Sequence, residues 1–246
     1  MPTKRILFIS DSRGRNIEPL LREHTPLGID ITWDVQTLPG AGIESILKRV
    51  ERGLRRNSWN QIIVNAGICN LTKRITKEGQ KCIEYKVRNV DNVCSTIDQM
   101  IDALGGKVTI CTITPAILEK YSNVRETDPE IKIEQDHLDE DITTINSHIK
   151  RRNIERDTAT IDLAKLSEIR SLKRQGKTKK RIVKLNPNCL RDGVHPTSEL
   201  LESWAKYTTK MAVKILNLQI TAEDASTEDS EDSDTGNFKR QRTNRT

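Results

Sequence analysis

Aromatic residues are scarce in this chain: two Phe, three Tyr and three Trp make 3% of 246 residues, within a hydrophobic fraction of 35%. Any core must therefore be built mainly from aliphatic side chains. No stretch approaches the roughly 20 consecutive apolar residues of a membrane-spanning helix. Met1-Pro2-Thr3-Lys4-Arg5 leads straight into an apolar strand, with neither the longer apolar stretch nor the cleavage site of a secretory signal. The five cysteines (Cys69, Cys82, Cys94, Cys111 and Cys189) are odd in number and lack metal-ligand spacing. Reduced thiols and an intracellular protein are expected from that usage. His24, His137 and His148 also lack ligand-like spacing, so no metal centre is implied.

Charge, by contrast, is abundant, and it is unevenly spread. The net charge is +6, but residues 221–246 hold seven acids and four bases, a local charge of −3 that leaves +9 on residues 1–220. A body of that sign would favour anionic surfaces or substrates through long-range attraction. Length and composition suit one α/β domain over residues 1–220, followed by a tail over 221–246. From Thr221 to Asp234 the tail is acidic, rich in Ser and Thr and without apolar periodicity, so a disordered segment is expected. Its end carries Lys239, Arg240 and Arg242, a short basic cluster compatible with nuclear targeting or a nucleic-acid contact.

Between these limits strands alternate with helices. Ile6–Ile9 reads as a buried parallel strand, 29–35 as a second, 61–66 as a third, 108–113 as a fourth and 159–163 as a fifth. Helical spacing is expected from Arg13 through Glu23, over 43–56, 87–104, 131–152 and 197–218, with Gly105-Gly106 stopping the third of these. Residues 116–130 read as a surface excursion and 173–184 as a basic loop carrying Lys173, Arg174, Lys177, Lys179, Lys180, Arg181 and Lys184. This order predicts a three-layer α/β sandwich of flavodoxin-like type: a five-stranded parallel sheet with helices on both faces. Active sites of such sheets lie beyond the carboxyl ends of the strands, where the turns carrying Ser12, Gly40 and Gly67 would converge.

Two short motifs suggest the chemistry. Ser10-Asp11-Ser12 follows the first strand, and Asp192-Gly193-Val194-His195-Pro196 precedes the last helix. A serine at a strand-to-helix turn is a natural nucleophile position, and Asp-x-x-His supplies a base with its orienting carboxylate.

In these blocks the chain resembles the SGNH (GDSL-type) hydrolases, a flavodoxin-like family of esterases, lipases and carbohydrate deacetylases. The resemblance covers roughly residues 4–218. It implies a Ser12, His195, Asp192 triad, with Ser10 in place of the family's first glycine. It implies an oxyanion hole from the Ser12 N–H, a glycine N–H after strand two (Gly40, with Gly42 in reserve) and an asparagine side chain. The family's Gly-x-Asn-Asp block reads here Gly67-Ile68-Cys69-Asn70, so a gap-free register sets Cys69 at the asparagine position and Asn70 one residue later. Either Cys69 or Asn70 would then supply the third donor. The chain is also similar to esterase-like domains encoded by animal mobile elements.

The resemblance implies a serine esterase or deacetylase acting through an acyl-enzyme, without cofactor, on an ester or acetylated small molecule, lipid or carbohydrate. A second expectation is a catalytically weakened scaffold that binds a ligand, or that binds nucleic acid or another polyanion weakly through the basic loop. A third is an unrelated phosphate binder with residues 10–15 as its cradle, which leaves Asp192 and His195 unexplained.

Overall fold

The computed structural model describes residues 3–77, 79–86, 90–122, 129–175 and 178–217. The tail beyond Asn217, including Lys239, Arg240 and Arg242, lies outside the described residues.

Four parallel strands form the central sheet: β1 (Lys4–Ser10), β2 (Ile31–Thr37), β3 (Gln61–Asn65) and a short strand Val108–Ile110, in the spatial order β2, β1, β3, Val108–Ile110. β1 is buried from Ile6 onward and β3 throughout, as the continuous apolar runs require when both sheet faces are covered. Successive side chains divide between two cores. Leu7, Ile9, Ile62 and Val64 face one layer, which contains α2 (Ile43–Leu54), together with Val93, Ile97, Leu138 and Ile142. Ile6, Phe8, Trp33 and Ile63 face the other, against Ile17 and Leu21 of α1 (Ile17–Glu23) and against Leu200, Leu201 and Trp204. Period-two alternation in the strands thus produces the three layers.

The remaining elements follow in chain order. After β3 come a single helical turn α3 (Ile68–Leu71) and an antiparallel hairpin, β4 (Thr72–Lys77) with β5 (Gln80–Tyr85). Helix α4 (Val90–Leu104) precedes the last sheet strand, which is β6, and α5 (Leu118–Ser122) precedes the long α6 (Pro129–Glu155). A second hairpin, β7 (Glu168–Gln175) with β8 (Thr178–Leu185), leads to the final helix α7 (Ser198–Ile215).

Several expectations need correction. The parallel sheet has four strands among the described residues, not five. At 159–163 the chain makes one ladder-like bond, from Thr112 N–H to Ile161 O at 3.1 Å. Asp162 then accepts the Thr112 hydroxyl at 2.9 Å and pairs with Lys150 at 2.7 Å. A 3-10 turn over Ala164–Ser167 ends the extension before a strand can propagate. The segment 173–184 is part of a hairpin rather than a loop. Residues 72–85, which carried no sequence assignment, form the other hairpin. The first helix does not run continuously from Arg13: Ser12–Gly14 is a 3-10 turn, Arg15 is extended and Asn16 sits at φ +67° before α1 starts.

The sheet order also fixes where a site can form. From β1 the chain passes to β2 on one side, then crosses to β3 on the other. The crevice beyond the carboxyl ends of β1 and β3 is therefore the topological switch point. Ser12 lies two residues after the end of β1.

Candidate active site

The turn carrying Ser12 is held by an ion pair beneath it. The Asp11 carboxylate accepts the Arg13 backbone N–H at 2.9 Å and the Arg13 Nε–H at 3.3 Å, and both side chains are fully buried. Arg13 also donates through Nη1 to Thr114 O at 2.8 Å, tying the turn to the segment after β6. A buried pair of this kind costs desolvation, so removing one partner leaves an uncompensated charge. Gly14 packs against Ser10; a Cβ at Gly14 would meet Ser10 Oγ at 2.5 Å, which explains the tight return of the chain. Ser12 begins the 3-10 turn, so its N–H is one of the donors that a helix start leaves without an internal partner.

The loop preceding α7 delivers the other groups. Asp192 Oδ1 accepts the N–H groups of Val194 and His195 at 3.1 and 2.8 Å, which closes the turn around the carboxylate. Asp192 Oδ2 lies 2.7 Å from His195 Nδ1, and His195 Nε2 lies 3.0 Å from Ser12 Oγ across 183 residues of sequence. Burial works to raise the Asp192 carboxyl, but the hydrogen bonds from His195 and Val194 outweigh it and hold it below the ordinary carboxylate range. Gly193 at φ +86° is required here: an added Cβ would meet Ile117 O at 2.4 Å and Tyr121 N at 2.9 Å. The Ile117 N–H bonds Gly193 O at 2.7 Å and Lys120 donates to Pro187 O and Leu190 O, so α5 and the residue before it clamp this loop. Thr197 caps α7 by accepting the Leu200 N–H.

The expected oxyanion groups are placed differently from one another. Leu38 N–H bonds Ser10 O at 2.8 Å, which draws the Gly40 loop alongside the Ser12 turn. Gly40 has φ +76°, with open space where a Cβ would be. Gly42 instead packs against Asn70 and Glu44 at the start of α2. The Asn70 carboxamide is fully engaged there: Oδ1 accepts the Ile43 N–H at 2.9 Å, and Nδ2 donates to both Glu44 carboxylate oxygens at 3.0 and 2.8 Å. Asn70 thus closes the N-terminus of a helix that has no side-chain cap of its own. Cys69 lies in the electrostatic field of Asp11 and Arg13, and burial, then Asp11, push its thiol up to about 11. At neutral pH it is a protonated, weak donor.

A cleft of about 200 Å³ opens beside Ser12 and His195, with Arg15 and Arg191 in its wall. The sequence motifs assign Arg191 no role and set Arg13 and Arg15 only within the phosphate cradle over residues 10–15. The available signal was Arg13-x-Arg15 directly after the nucleophile position. The three histidines set aside earlier lie apart: His24 is near Glu202, His137 tilts against Tyr85 and His148 meets Asp98.

No protein-family model matches the sequence, and no curated protein does. Solved structures do. A lipase/acylhydrolase from Enterococcus faecalis is 16% identical, with 86% of this chain and 96% of that chain covered at a TM-score of 0.59. A GDSL-like lipase from Bacteroides thetaiotaomicron is 17% identical, covering 85% and 89% at a TM-score of 0.56. The esterase EstA of a Pseudoalteromonas species, in a structure inhibited by monoethylphosphonate, is 11% identical, covering 87% and 99% at a TM-score of 0.55. Together with the four-stranded parallel sheet and its flanking helices, these likenesses show that the chain has the fold of the GDSL lipases and acylhydrolases.

Proposed function

We propose that the protein is an SGNH-type serine hydrolase that cleaves carboxylic esters through Ser12, His195 and Asp192. The observation that carries this reading is the continuous relay of 3.0 Å from Ser12 Oγ to His195 Nε2 and 2.7 Å from His195 Nδ1 to Asp192. His195 Nε2 takes the Ser12 proton as Oγ attacks the ester carbonyl, and Asp192 holds the ring tautomer and stabilises the imidazolium. Collapse of the tetrahedral intermediate breaks the C–O ester bond, and His195 returns the proton to the departing alkoxide. Water then attacks the acyl-enzyme, His195 accepts its proton, and Ser12 Oγ leaves with that proton as the carboxylic acid is released. The Ser12 and Gly40 N–H groups are assigned to the oxyanion, with the Cys69 thiol as third donor. The odd number of cysteines and their lack of metal-ligand spacing support an intracellular setting, and no described helix is long and apolar enough to cross a membrane.

Kinetics on a short acyl ester test the assignment. Ser12→Ala and His195→Ala are each expected to abolish turnover, with the double variant no worse than either, because the two act as a unit. Their melting temperatures should stay close to the parent's, since both groups face the cleft and truncation opens little core volume. Retained turnover in Ser12→Ala excludes the mechanism.

One observation favours a second reading, a catalytically weakened binding protein. The Asn70 amide is turned to Glu44 and Ile43, which leaves a thiol in place of a carboxamide donor. Loss of one good oxyanion donor costs on the order of 10²–10³ in rate.

A further inference from the structure

The cleft beside Ser12 has a charge character that the hydrolase reading does not use. Arg15 and Arg191 both line it, both are exposed, and neither has an acid partner among the described residues. Elsewhere on the surface some arginines are paired, Arg5 with Asp34, Arg22 with Glu18, and Arg152 with Asp98 and Glu155. Others, such as Arg52, Arg55 and Arg56 on and after α2, have no acid partner among the described residues but do not line the cleft. The carboxylates near the cleft are already engaged. Asp11 is paired with the buried Arg13, and Asp192, though still a carboxylate, is turned to the His195 ring and two loop N–H groups. Glu199 is tied to the start of its own helix through backbone and the Thr197 and Ser198 hydroxyls. Arg15 and Arg191 thus line one small concavity whose wall contains no carboxylate.

Their mounting is as informative as their charge. The Arg15 N–H bonds Ser12 O at 3.4 Å, so Arg15 closes the same turn that presents the nucleophile. The Arg191 N–H bonds His195 O at 2.7 Å, and Leu190 bridges Pro196, so Arg191 is fixed to the loop that presents the base. Each arginine is thus anchored within four residues of a reacting group. Of the residues lining the cleft only Pro196 and Leu201 are apolar, none is Phe, Tyr or Trp, and the volume is about 200 Å³. A long acyl chain would find little to bury against there.

Resting on the hydrolase reading of this site, we propose that the substrate is a short-acyl ester of an alcohol that itself carries an anionic oxyacid group, a phosphate or a carboxylate, seated between Arg15 and Arg191. Guanidinium groups present paired N–H donors that match such oxyanions in a way a lysine does not. The same two charges would draw the substrate into the cleft and speed its capture at low ionic strength. After acyl transfer to Ser12 Oγ the proton from His195 goes to the ester oxygen, and the anionic alcohol leaves still bound by the arginines. Specificity would lie on the alcohol side of the ester, while the acyl side would accept only a small group such as acetyl.

The test compares three acetyl esters by acetate release: monoacetylglycerol, its 3-phosphate, and 2-acetoxypropionate. The phosphate is expected to exceed the neutral ester in kcat/KM by about tenfold or more at low salt, and the ratio should fall steeply toward high salt. Arg15→Gln and Arg191→Gln should each lower the ratio several-fold, the double variant should bring it to about one, and Arg→Lys at either position should restore part of it. A matching preference for 2-acetoxypropionate supports a monoanion site, and its absence supports a site built for a dianion. A ratio of one in the parent protein, or a ratio unchanged in the double variant, overturns the proposal.

Failure of the hydrolase reading is separable. If no ester is turned over, calorimetric titration of the Ser12→Ala protein with glycerol 3-phosphate still decides the anion site. Binding that weakens by about fivefold or more on adding Arg15→Gln and Arg191→Gln supports it. No binding at millimolar ligand, or binding indifferent to both arginines, overturns it.

Discussion

Replacing Gly193 by Ala tests whether the loop between Asp192 and His195 is held as described. Gly193 sits at φ +86°, where an L side chain pays roughly 1–2 kcal/mol. Its new Cβ would lie 2.4 Å from Ile117 O and 2.9 Å from Tyr121 N, both backbone atoms that cannot rotate away. Relief requires the loop to move from α5, which breaks the 2.7 Å bond from Ile117 N–H to Gly193 O. A lost hydrogen bond of this type adds about 0.5–1.5 kcal/mol. The sum is about 1.5–3.5 kcal/mol, which for a domain of this size lowers the melting temperature by on the order of 3–14 °C. Urea and thermal unfolding measure it directly. Esterase activity should fall further than stability alone explains, because the displaced loop carries both Asp192 and His195. A Gly193→Ala protein within about 0.5 kcal/mol of the parent would show that the loop is not clamped in this way.

Three substitutions probe the oxyanion side and the carboxylate. Cys69→Asn should raise the rate, by up to about 2–3 kcal/mol of transition-state stabilisation if the amide reaches donor geometry, and an unchanged or lower rate would remove Cys69 from the hole. Asn70→Ala should destabilise the fold by about 1–2 kcal/mol through loss of the Ile43 cap while leaving kcat/KM within a few-fold; a collapse of activity in a stable protein would make Asn70 a donor instead. Asp192→Asn should show a pH-dependent loss of stability. The native Asp192 carboxyl is held below its ordinary value, so its contribution is fully present above the ordinary carboxylate range, near pH 4, and disappears as pH falls through the depressed native value. A melting-temperature gap between parent and variant that stays constant into strong acid would contradict that assignment.

How much of this was legible in the sequence depended on whether the cause was local. β1 and β3 are continuous apolar runs because helices cover both sheet faces, and a short window suffices to see that. The turn after β1 and the Asp-x-x-His loop are likewise local, and their approach follows from the switch point of a parallel sheet. Residues 159–163 alternate like a strand, yet Asp162 is occupied by Thr112 and Lys150, the former about fifty positions away. The buried Arg13 could not be anticipated either, since its carbonyl partner Thr114 is 101 residues distant. At 173–184 the density of bases obscured the register that joins β7 to β8. The bonds of Asn70 to Ile43 and Glu44 likewise span 27 and 26 residues, beyond the view of a local window.

The most direct test of the central claim is a fluorophosphonate adduct mapped by mass spectrometry on the full chain. Activation of Ser12 by His195 predicts stoichiometric labelling at Ser12, lost in His195→Ala and in heat-unfolded protein. A folded protein that stays unlabelled, or one labelled at another residue, would contradict the account.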